Sequence, residues 1–207
     1  MTDLSQALAE INAIRAQVAR GTQFRGYGPA SIAASGALAL IVATAQLMWL
    51  KDAGRDAVSF LAVWVATAGV SVVLATTETI VRAQRVHSGF AYEMIHAAVE
   101  QFLPALIIGM LLTAVFLLAI PTELWMLPGL WQLIFCLGVF ASCRFLPRQM
   151  FAVGIWYLAA GLACLMIESR PRTLSPWEMG IPFGVGQLLV AGVLRYYGFE
   201  ESIEEHQ

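Results

Sequence analysis

The residues with the most chemical capacity stand together between positions 78 and 101, in the longest polar break of an otherwise apolar chain. This stretch holds Glu78, Arg82, Arg85, His87, Glu93, His96 and Glu100. Glu93-Met94-Ile95-His96 is a Glu-x-x-His pair at i, i+3, and Glu100 lies one helical turn further on the same face. Di-iron carboxylate bundles use such a pair twice, with further glutamates from two other helices. Here it occurs once. The chemistry open to Glu93, His96 and Glu100, with Glu78 approaching from a neighbouring helix, is therefore at most a mononuclear metal site. The simpler reading is a salt-bridge clasp. Pairing two antiparallel helices about Ser88-Gly89 sets Arg85 near Glu93, Arg82 near His96 and Glu78 near Glu100. A clasp of Arg82, Arg85, Glu93 and Glu100 needs no cofactor, and none is expected.

A second set of polar groups lies inside apolar segments. Gln132 and Gln187 are side-chain amides, which hydrogen-bond between helices in lipid at ~0.6 kcal/mol on average. Gly180, Pro182, Gly184 and Gly186 interrupt the last apolar segment. Such a segment either packs closely against another helix or exposes backbone carbonyls to a solute. Helix contact is the expected role, and a small polar cavity lined by Gln132, Gln187 and residues 180–186 is the alternative. Cys136, Cys143 and Cys164 fall inside apolar segments with no metal-type spacing and are expected to be small core residues. Nucleophile-elbow, phosphate-loop, Cys-x-x-Cys and His-Glu-x-x-His patterns do not occur.

The elements that position these groups follow from composition. The 207 residues are 59% hydrophobic and 13% charged, with a mean hydropathy of +0.72. Soluble domains carry about 25% charged residues, so the deficit points to a bilayer. Apolar runs near 20 residues predict six transmembrane helices, at 29–50, 57–77, 101–120, 124–143, 149–167 and 177–197. The fold class is all-α, a polytopic six-helix membrane domain over 29–197 with the charged hairpin 78–100 inserted. Residues 1–28 form a preceding amphipathic helix with Leu4, Leu8, Ile11, Ile14 and Val18 at helical spacing. They hold Asp3, Glu10 and spaced arginines without an apolar core, unlike a signal peptide. Residues 198–207 form an acidic tail.

Local punctuation supports these boundaries. Pro29 suits a first helical turn. Ser175-Pro176-Trp177-Glu178 fits a capping box ahead of the sixth helix. Ser31, Ser35 and Ala39 share one face of the first, at a spacing that lets backbones approach closely in lipid. The segments carry no Asp, Glu, Lys or Arg near their middles, which argues against an ion pump or a proton-coupled carrier.

Orientation follows from the basic residues. Arg15, Arg20, Arg25, Arg82, Arg85, Arg144, Arg148 and Arg195 fall on one side, and Lys51, Arg55, Arg170 and Arg172 on the other. The richer side is cytoplasmic by the positive-inside rule, which puts both termini there. Trp49, Trp125, Trp131 and Trp177 then gather at the outer interface. A net charge of −2 gives no footprint for nucleic acid. The expected setting is a bacterial cytoplasmic membrane, on size and economy. The expected role is that of an accessory or regulatory subunit, not an enzyme, engaging a cytoplasmic protein partner. The lipid bilayer and a homo-oligomer are the further candidate partners. The alternatives are a transporter or binding subunit for a small neutral or apolar solute, and a membrane metalloprotein using Glu93, His96 and Glu100.

Overall fold

The computed structural model describes residues 29–49, 57–86, 89–143, 148–169 and 174–204, leaving aside the side chains of 79–80, 82–99, 101 and 197–204. Among the described residues every regular element is helical: α1 Pro29–Trp49, α2 Ala57–Val86, α3 Gly89–Ala119, a 3-10 segment Pro121–Met126, α4 Leu127–Ser142, α5 Met150–Glu168 and α6 Trp177–Glu204. Among the described residues six stretches are long and apolar enough to cross a membrane: Pro29–Trp49, Ala57–Glu78, Phe102–Ala119, Pro121–Ser142, Met150–Glu168 and Trp177–Tyr196. Their ends fall within three residues of the sequence-derived boundaries. The largest difference is at the start of the fourth, which begins three residues earlier, at Pro121; Pro121, Thr122 and Glu123 are part of it. They open a six-residue 3-10 segment that leads into α4.

The packing order differs from the chain order. Neighbours run α2, α1, α6, α5, α4, α3, so the first and last helices form the most extensive pair. Small residues make this pairing close. A side-chain carbon at Gly36 of α1 would stand 2.9 Å from the Gly184 carbonyl oxygen of α6, and one at Gly180 would collide with Ala43. The second close pair, α4 with α5, uses the same device reciprocally. A side-chain carbon at Gly129 would lie 2.9 Å from the Gly161 carbonyl, and one at Gly161 2.9 Å from the Gly129 carbonyl. Such backbone approach increases dispersion contact where apolarity itself does not favour one helix over its surroundings.

Two apolar clusters fill the interior. One joins Ala39, Ala43, Phe60, Leu61, Trp64, Phe116, Leu124, Leu127, Leu174 and Met179 at the end that holds the 3-10 segment. The other joins Cys136, Val139, Met150, Val153 and Tyr157. Beside the second, Phe135 stacks at centroid distances of 5.1 Å on Phe102, 4.6 Å on Tyr157 and 5.5 Å on Phe183. One aromatic ring thus connects α3, α4, α5 and α6. By contrast, α3 leaves most of its apolar window uncovered. It is tied to α4 by Trp131 Nε1, which donates to Thr113 Oγ1 at 2.9 Å.

Candidate functional site

The buried polar centre is built around the proline of α6. Pro182 has no N–H, so the Glu178 carbonyl loses the hydrogen bond that an α-helix supplies from four residues on. An unpaired carbonyl in an apolar interior costs about 1–3 kcal/mol. Gln132 of α4 supplies the missing donor. Its Nε2 donates to the Glu178 carbonyl at 2.7 Å, and the Gln132 side chain is fully buried. The same amide nitrogen points at Cys164 Sγ at 3.5 Å. The thiol in turn lies 4.0 Å from Gln132 Oε1 and 3.8 Å from the Glu178 carbonyl. One turn along α6, the Pro182 carbonyl accepts from Trp156 Nε1 of α5 at 3.0 Å. Side chains of α4 and α5 therefore bind the backbone carbonyls of both Glu178 and Pro182.

The N-terminal turn of α6 adds a carboxylate. Glu178 Oε1 accepts from the Ser175 backbone N–H at 2.8 Å, the glutamate half of the expected capping box. Glu178 is 9% exposed, and its Oε2 is enclosed and meets no hydrogen-bond donor among the described residues. Glu168, the last residue of α5, is near enough to this carboxyl group to interact with it electrostatically. The centre thus comprises an amide, a thiol and two carboxyl groups where α4, α5 and α6 meet.

The sequence-derived candidates divide among several places. Gln132 enters this centre. Gln187 is half-buried at the α1–α6 contact, its Cβ 3.0 Å from where a side-chain carbon of Gly36 would stand. The glycines of residues 180–186 are occupied by neighbours. Gly180 faces Ala43, Gly184 faces Leu40, and Gly186 faces the hydroxyl of Tyr157. These contacts describe close helix packing.

In the hairpin, Glu78 turns toward α1. Its Oε2 accepts from the Ser31 N–H at 2.9 Å, in the first turn of that helix, where an anion offsets the helix dipole. Glu100 is exposed. The side chains of Arg82, Arg85, Glu93 and His96 lie outside the described residues, and with them the clasp and the metal reading. Among the described residues, no three His, Cys, Asp or Glu side chains gather as a metal site would require.

Cys164, Glu168 and Glu178 are the members of the centre that sequence reasoning did not assign to a site. The signal available was Pro182 itself. A proline inside an apolar helix leaves the carbonyl four residues earlier in need of a donor. No family model matches the chain, and no curated protein or solved structure is similar to it.

Proposed function

We propose that the chain is a multi-pass membrane protein, with both termini on the cytoplasmic side, that acts as an accessory or regulatory subunit by docking a protein partner on that side. The observation that carries this reading is the length of two helices. α2 has 30 residues and α3 has 31, each about 45 Å long at 1.5 Å per residue. A hydrocarbon core of about 30 Å takes only about 20 of those residues. The apolar windows end at Glu78 on α2 and begin at Phe102 on α3. The remaining turns, 79–86 and 89–101, stay helical beyond the apolar windows, and in this reading they pair as a hairpin outside the apolar layer.

Six alternating crossings bring the C-terminal end of α6 to the same side, where that helix continues past Tyr196 to Glu204. The arginines of the hairpin and the glutamates of the α6 extension give this side two charged helical elements of different sign balance. Such a surface suits recognition of another protein by charge complementarity. The opposite side carries short connections. The buried polar centre serves helix packing, since the Glu178 and Pro182 carbonyls are already paired within the chain.

The test is affinity purification of the full chain from its own membranes in mild detergent, beside an R82E/R85E variant. The expected result is a stoichiometric protein partner that the variant loses while keeping its own melting temperature. A partner held equally well by both chains, or none above the control, refutes the assignment of the hairpin as the docking element.

A further inference from the structure

We propose that Gln46 of α1 and Trp64 of α2 hold one buried water molecule between them, a hydration site inside the apolar end of the bundle that carries the 3-10 segment. Both side chains are 3% exposed. Each ends in a buried polar atom without a hydrogen-bond partner among the described residues, the Gln46 Oε1 acceptor and the Trp64 Nε1 donor. The other half of the Gln46 amide fixes where the site lies. Its Nε2 donates to the Phe60 carbonyl at 3.4 Å. Within α2 the same carbonyl accepts the backbone N–H of Trp64, four residues on. Helical side chains lean back over the preceding turn, and the Trp64 ring accordingly stands beside Phe60, at a centroid distance of 6.4 Å. The two unpaired atoms therefore border one turn of α2.

The residues packed around them offer no partner. Ala39, Ala43, Leu61, Phe116 and Leu124 carry no polar side-chain atom. Trp131, at the margin of the same cluster, has its Nε1 committed to Thr113 Oγ1. Buried polar groups in native structures are paired with protein or with ordered water. The ligand class follows from the opposite hydrogen-bond sense of the two atoms. A cation suits the amide oxygen but is opposed by the indole N–H, and an anion meets the reverse. Water accepts one bond and donates another, and a buried water needs about two to four polar partners. It accepts from Trp64 Nε1 and donates to Gln46 Oε1. The bridge ties α1 to α2 at this end, as the bond from the Ser31 N–H to Glu78 does at the other.

The experiment is proton NMR of the full chain in lipid nanodiscs, with 15N in its six tryptophan indoles and the Trp64 signal assigned by its loss in Trp64→Phe. The expected result is a cross-peak between the Trp64 indole proton and water. Its sign should invert between laboratory-frame and rotating-frame spectra, as a bound water requires and proton exchange does not. Gln46→Met keeps the side-chain length and removes the acceptor. It should abolish the cross-peak and lower the melting temperature by about 2–4 °C. Absence of the water cross-peak from the parent overturns the proposal, even where Gln46→Met does not fold. So does a cross-peak that persists in Gln46→Met, which would leave the water on Trp64 alone. A cross-peak from the Trp64 indole proton to a side chain of residues 50–56 in place of water would identify a partner in that connection, and also overturns it.

Discussion

Replacing Gln132 with leucine tests most directly how the chain satisfies the carbonyl that Pro182 leaves without a donor. The two side chains are close in volume, so the change removes the amide without opening a large cavity. It leaves the Glu178 carbonyl without its 2.7 Å donor, and Pro182 prevents the helix from providing one. A buried acceptor left unpaired costs about 1–3 kcal/mol. Inter-helix hydrogen bonds in lipid average only ~0.6 kcal/mol, with a maximum near 1.7, because the dissociated helices find other partners. The Glu178 carbonyl belongs at the upper end, since its shortage is built into the covalent structure of its own helix. A loss of about 1.5 kcal/mol is expected, which lowers the melting temperature by about 3–6 °C for a chain of this size. The decisive measurement is a double-mutant cycle with Pro182→Ala. Alanine restores the N–H, so Gln132→Leu should cost at least about 1 kcal/mol less in that background. Additive effects of the two changes would show that Gln132 does not act through the proline-freed carbonyl.

Three further outcomes follow from the packing. Gly184→Leu should destabilise by about 1–3 kcal/mol or more, because its first side-chain carbon would already stand 2.7 Å from Leu40 Cγ; Gly192→Leu, with nothing within 4 Å, should be nearly neutral, and equal melting temperatures would remove the packing argument. Tyr157→Phe should be neutral or stabilising by up to about 1 kcal/mol, since the buried hydroxyl has no hydrogen-bond partner among the described residues, and a clear loss in thermal melting would reveal a partner for it. Reporter fusions at Asp52, Glu123 and Arg172 should read as external and those at Ser88, Arg148 and Glu204 as cytoplasmic; an external report from Glu204 would reverse the proposed orientation.

The sequence by itself determined that the chain forms six helices of bilayer-crossing length and apolarity. Apolar runs near 20 residues leave backbone groups no partners except their own helix, so length and composition suffice. Helix ends with local chemistry were legible too. Glu178 reaches the Ser175 N–H three residues away, an interaction encoded in one short stretch. The tertiary structure decided which helices are neighbours. When nearly every face is apolar, periodicity does not say which face meets which helix, and the order is set by where backbones can approach. Gly36 against Gly184 and Gly129 against Gly161 set it here, across 148 and 32 residues of chain. The polar centre was half-legible for the same reason. Gln132 and Pro182 stood out as a polar and a helix-breaking residue in apolar runs. Their connection through the Glu178 carbonyl, and the arrival of Cys164 beside it, exists only once α4, α5 and α6 are packed together, because hydrogen bonds between helices depend on register and approach, not on residue type.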